Sequence, residues 1–131
     1  MASYKIVVHR WTSDSGRLSF YVDDELKFAT SCWWAADNRI DAKTYTGCST
    51  TLMAKKGYKS VYLPDEQTGK KGIFIHQGAG PQHSDGCIVC AKKKVEQIYN
   101  TVPRNGQNLT VVVGDTPIND APARPTDWAY A

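Results

Sequence analysis

Tyr4-Lys5-Ile6-Val7-Val8-His9-Arg10-Trp11 is dense in β-branched and aromatic residues, and its reading as a strand decides the fold class. Working outward, Ser13-Asp14-Ser15-Gly16 has turn chemistry, and Arg17-Leu18-Ser19-Phe20-Tyr21-Val22 alternates like a second strand. Asp23-Asp24-Glu25 turns again, and Leu26 to Trp34 completes a β-meander. Ala35 to Tyr45 is polar and irregular. Gly47 to Met53 and Lys59 to Leu63 are further strand candidates, and Pro64 to Lys71 is a charged loop. Gly72-Ile73-Phe74-Ile75-His76 is a short, mostly apolar strand. Val95, Ile98, Tyr99 and Val102 fall at i, i+3, i+4 and i+7, which predicts one helix, stopped by Pro103 and Gly106. Leu109 to Val113 is the last strand. Many short strands and one helix predict a mainly β domain, a sandwich or barrel.

Composition sets the outer limits. At 131 residues the chain is one domain, large enough for a core without a disulfide or metal. Lys plus Arg is 16 against 13 Asp plus Glu, and a net charge of +3 is too small to argue for nucleic acid. No apolar run is long enough to span a membrane. Met1 to Trp11 carries charges and no apolar stretch followed by a small-residue cleavage site, so no general secretion signal is read there. The folded domain is expected over residues 1–114. Residues 115–131, with Pro117, Pro122 and Pro125, are expected to form a tail that packs on the domain or extends from it.

Chemistry concentrates between Ile75 and Cys90, a stretch holding two of the three His and two of the four Cys. His76 closes a predicted strand, a Gly-rich loop follows, and Gly86-Cys87 opens the next apolar run. Three chemical readings compete with a purely structural one. Cys87 can be a nucleophile with His76 as its base, and Gly86 would let backbone N–H groups face an oxyanion. His76, His83, Cys87 and Cys90 have the ligand types for zinc, although the His spacing matches no common finger. Cys87 and Cys90 can be a redox pair, although the flanking elements are not βαβ. In the structural alternative, Cys87-Ile88-Val89-Cys90 are buried small residues of a strand.

The order of these residues resembles the signature of the L,D-transpeptidase catalytic domain family. That signature is a strand ending in Ile-His-Gly, a loop, then Ser-His-Gly-Cys-Ile-Arg. Ile75-His76, Ser84, Gly86, Cys87 and Ile88 match it, and Gly78 falls one place late. The resemblance is loose from Leu18 to Val113, closest to a compact branch found in phage and secreted-toxin settings. It implies a β-sandwich with one α-helix after the Cys and attack on the stem peptide of peptidoglycan. Carried over, Cys87 is the nucleophile and His76 the base and acid. Gly86 and Cys87 supply oxyanion N–H groups, and Ser84 supports the loop that holds the His. No cofactor or metal is implied. The family's His before the Cys is Asp85 here, and its Arg after the Cys is Val89. Hydrolysis or exchange of a terminal D-amino acid therefore fits better than cross-linking.

Asp85, in the place of the family's His, is counted with the catalytic residues; His83 reads as an exposed loop residue, or as one that orients His76 or contacts substrate. Lys70 and Lys71 are candidates to replace the missing Arg, within a set of lysines that otherwise reads as a solvated face or an anion-attracting rim. Trp33 and Trp34 face opposite sides of a strand, and Trp34 is the one assigned to the substrate groove. Cys32 and Cys48 are buried thiols or a bridge. A wall-directed enzyme without a signal would be a toxin or lysis enzyme, reaching the periplasm or wall of a target or host cell through delivery machinery or lysis, with an immunity protein as its partner. The competing identity is a zinc-stabilised or structural module of a phage or secretion particle.

Overall fold

A computed structural model describes residues 2–54, 56–84 and 86–115; Asp85, the His83 side chain and residues 116–131 lie outside the described residues. Among the described residues the strands are β1 (Tyr4–Arg10), β2 (Ser15–Val22), β3 (Glu25–Trp33), β4 (Thr44–Leu52), β5 (Lys59–Leu63), β6 (Ile73–Gln77), β7 (Ile88–Cys90) and β8 (Leu109–Asp115). Two helices, α1 (Asp65–Thr68) and α2 (Lys92–Thr101), complete them. The strands close into a barrel in the order β1-β2-β3-β7-β6-β5-β4-β8. The mainly β expectation holds, with a single closed sheet in place of two stacked ones. β8 lies parallel to β1 and antiparallel to β4, so that neither outer strand is left as an edge.

Alternation along each strand sorts the core. Ile6 and Val8 of β1, Leu18 and Phe20 of β2, and Leu109, Val111 and Val113 of β8 all point inward. Gly16, expected in a turn, is a strand residue opposite Arg10. A Cβ there would stand 1.9 Å from the His9 carbonyl oxygen, so only glycine permits the strand to start this close to its neighbour. The β2–β3 turn is as expected. Asp23 and Asp24 both take left-handed backbone, with φ of 51° and 66°, the pattern of a two-residue hairpin turn whose twist matches the strands.

Helix α2 follows Cys87 as predicted. Val95 and Ile98 are its buried face, packed on β5 and β6. The loop from Pro64 to Lys71 contains α1, one short turn with Asp65 and Glu66 at its start and Gly69 in left-handed conformation at its end. The polar segment after β3 is held down at Ile40, whose carbonyl accepts a 2.7 Å hydrogen bond from Arg10. That segment lies beside the Cys87 loop.

Candidate active site

The site is built on β6 and β7, which run parallel as neighbours. Ile75 pairs with Ile88 and His76 with Val89. Ile75 and Ile88 belong to the core, so His76 and Val89 take the opposite face. His76 Nδ1 lies 2.9 Å from the backbone oxygen of Gln77. A carbonyl oxygen can only accept, so Nδ1 carries a hydrogen, and in the neutral form of the ring that tautomer puts the basic lone pair on Nε2. The Tyr58 ring packs on the imidazole, centroids 5.9 Å apart and tilted 33°. The ring is thus fixed in tautomer by its own strand and in orientation by an aromatic neighbour.

Cys87 sits one residue ahead of β7, and its sulfur leans back on β6. It accepts from the Phe74 N–H at 3.4 Å and donates to the Gly72 carbonyl at 3.6 Å. Phe74 is two residues before His76, so thiol and imidazole are carried by one strand pair.

Ser84 ties the loop together and is fully buried. Its Oγ accepts from the Gly86 N–H at 3.1 Å and from the Ala35 N–H at 3.0 Å, and it donates to the Cys87 carbonyl. Its main-chain oxygen accepts from the Cys87 N–H at 2.8 Å. Gly86 has φ of 92°, a conformation suited to glycine, and a Cβ there would meet Asn38 Nδ2 at 2.9 Å. Asn38 in turn accepts from Lys70 Nζ at 2.9 Å. The segment after β3 therefore lies over the turn that carries Cys87.

A cleft of about 510 Å³ opens on the His76 side, lined by Lys56, Tyr58, His76, Gln77, Gln82 and Lys92 among others, and among the described residues no carboxylate is in its lining. Cys87 is not part of that lining. Of the described residues the cleft thus offers two cations and two side-chain amides beside the imidazole, a surface matched to a carboxylate-bearing ligand.

Several expectations need correction. Trp34, assigned to the groove, is 1% exposed and lies in the core, with its indole N–H donating to the Ser13 carbonyl at 2.7 Å. The phase of β3 turns Trp33 to the half-buried side instead. The Gly86 and Cys87 N–H groups, expected to face an oxyanion, are both taken up by Ser84. Ser84 braces the Cys87 loop against Ala35 through its side chain, and its N–H donates to the Pro81 carbonyl at 3.1 Å within the segment that follows His76. Cys87 and Cys90, three apart, do not share a face, and Cys90 points into the core. No disulfide joins the four cysteines, and among the described residues no three His, Cys, Asp or Glu gather as a metal site. Cys32 and Cys48 are both buried free thiols, on strands with β7, β6 and β5 between them in the sheet.

Other candidates are simply placed. Lys70 reaches the Cys87 loop through Asn38, while Lys71 is exposed before β6. The backbone of His83 lies in a short 3-10 turn, Pro81–His83. Asp85, the His83 side chain and the tail from residue 116 lie outside the described residues. Sequence reasoning missed the Gln77 carbonyl, the Phe74 N–H and Asn38. The first two are backbone groups with no side-chain signature, and Asn38 sits in a segment without periodicity. Tyr58 was findable as an aromatic residue just before a strand.

Comparison with curated proteins and with solved structures gives no match. A family model does match, that of the L,D-transpeptidase catalytic domain known as YkuD, over residues 2–119. The match covers the whole barrel, including β6, the Ser84–Cys87 turn and β7. The chain belongs to the YkuD family of L,D-transpeptidase catalytic domains, cysteine enzymes that make or break peptide bonds of peptidoglycan.

Proposed function

We propose that this enzyme removes or exchanges the terminal D-amino acid of a peptidoglycan stem peptide, with Cys87 as nucleophile and His76 as general base and acid. The observation that carries the proposal is the pairing on β6 and β7. The imidazole is held by Gln77 so that Nε2 is the basic nitrogen, and the thiol is held on the same strand two residues away. Nε2 takes the thiol proton as sulfur attacks the carbonyl carbon, then returns it to the departing D-amino acid. The thioester left on Cys87 passes to water or to a second D-amino acid. Lys56 and Lys92 draw the carboxylates of the stem peptide to the imidazole side of the site. Val89, buried under Gly78, offers no cation there.

The test is incubation of the purified chain with a disaccharide tetrapeptide. D-alanine release, or its replacement by an added labelled D-amino acid, is expected, and Cys87→Ala should abolish both. Activity retained in Cys87→Ala would sink the mechanism. A role as wall-targeting toxin or lysis enzyme is a separate part of the proposal. Its motive is the likeness of the His76 and Ser84-to-Ile88 block to the compact branch found in phage and secreted-toxin settings. Expression with an export leader fused to the chain should lyse or round the host, and Cys87→Ala should abolish the effect. An equal effect from Cys87→Ala, or none from the native chain, would reject that role.

A further inference from the structure

Cys32 on β3 and Cys90 on β7 are direct register partners across an antiparallel seam. Both are fully buried and belong to the same core cluster. The Cys90 carbonyl accepts from the Gly78 N–H at 2.9 Å, on the β6 side. In an extended residue the N–H and C=O point the same way, so Cys90 turns its backbone groups away from β3. The two cysteines thus form a non-hydrogen-bonded pair, the kind whose Cα atoms approach to about 4.5 Å. A disulfide needs a Cα separation of about 4.4–6.8 Å. The seam itself is short, with Trp33 and Val89 as its other register pair.

We propose that Cys32 and Cys90 are a disulfide site, oxidised while the chain folds in contact with a disulfide donor, and that the bridge staples the strand behind Cys87 to β3. The donor is a small glutathione-type disulfide or the disulfide of an oxidoreductase. One chain thiolate attacks the donor S–S bond, forming a mixed disulfide and releasing one donor thiolate. The second chain thiolate then attacks the chain sulfur of that mixed disulfide. The Cys32–Cys90 bond forms, the mixed bond breaks, and the second donor thiolate leaves. The chain loses two electrons and two protons, and the donor gains both as two thiols.

Burial sets the timing. Once the barrel closes, neither sulfur meets solvent, so exchange precedes the docking of β7. Burial also pushes the Cys90 thiol up to about 12 and raises Cys32 well above its usual value, so folded, reduced protein resists oxidation. The bridge takes Cys90 out of any exchange with Cys87 and leaves Cys87 and Cys48 as thiols. The inference does not depend on the substrate proposed above.

The experiment refolds the reduced, denatured full chain in a mixture of oxidised and reduced glutathione, blocks remaining thiols, and maps linked peptides by mass spectrometry. A peptide pair joining Cys32 to Cys90, with Cys48 and Cys87 alkylated, is expected. Reducing that species with dithiothreitol while it is denatured, then refolding it in the reductant, should give protein with a melting midpoint lower by about 10 °C. Recovery of folded protein with all four cysteines alkylated, or with Cys87 joined to Cys90, would overturn the proposal. Because wild-type chain is mapped directly, no substitution has to fold.

Discussion

Replacing Ser84 with alanine removes one oxygen that holds three segments. In the native protein that Oγ satisfies the Ala35 N–H, the Gly86 N–H and the Cys87 carbonyl, in a position with no solvent exposure. Alanine fits the space, so the loss is one of polar satisfaction rather than of packing. Each buried group left without a partner costs about 1–3 kcal/mol. Three orphans do not add fully, since the 84–87 turn keeps the bond from the Cys87 N–H to the Ser84 carbonyl and Ala35 is only partly buried. A net loss of about 2–4 kcal/mol follows. Urea unfolding followed by tryptophan fluorescence reads it directly. With a slope of about 1–3 kcal/mol/M, the midpoint should fall by roughly 1–2 M with the slope unchanged. Activity should drop further than stability explains, because the turn that presents Cys87 loses its anchor to Ala35. A destabilisation under about 1 kcal/mol, with activity intact, would refute the assignment of Ser84 as the anchor of this loop.

Gly86→Ala should cost about 1–3 kcal/mol, since an L side chain at φ of 92° is strained and its Cβ would stand 2.9 Å from Asn38 Nδ2. Thermal melts of Gly86→Ala and Asn38→Ala/Gly86→Ala separate the two causes: relief of the contact should recover only part of the loss. Alkali should unfold the protein. Burial pushes the Cys48 and Cys90 thiols to about 12 in the folded state, against 9.0 for an exposed thiol. A raised folded value means that the stabilisation is complete below the unfolded pKa and is lost as pH rises through the folded one. Reduced protein should therefore keep a constant melting midpoint below about pH 8 and lose it progressively above about pH 9. Cys48→Ala should flatten that decline, and an unchanged profile would show that Cys48 does not titrate with unfolding.

What the sequence made legible was local. The meander from Tyr4 to Trp34 is written in alternation and turn residues, and α2 in its apolar stripe. His76 and Cys87 stand out because a strand, a glycine-rich loop and a Gly-Cys step occur in that order. Closure of the barrel was not legible, because the pairing of β8 with β1 and β4 joins segments far apart in sequence and leaves no local mark. The choice between Trp33 and Trp34 turned on strand phase, and a one-residue uncertainty there exchanges the two faces. The oxyanion expectation failed for a different reason. Whether an N–H is available depends on which acceptor its own turn provides, and Ser84 provides two. The pairing of Cys32 with Cys90 likewise depends on β7 leaving its sequence neighbours to dock on β3.

The position of the thiol follows from where the β6–β7 ladder stops. β7 begins at Ile88, so the backbone groups of β6 below Ile75 face no strand partner on that side. Phe74 offers an N–H there and Gly72 a carbonyl, and buried groups of this kind need partners. The Cys87 sulfur meets both. A nucleophile that completes a sheet is held more firmly than one on a free loop, and it is shielded for the same reason, with only 6% of Cys87 exposed. It follows that the N–H already directed at the reacting atom belongs to Phe74, on the strand that also carries the imidazole. The Gly86 and Cys87 N–H groups are spent on holding the turn, so the turn supplies position and β6 supplies the polar environment of the sulfur.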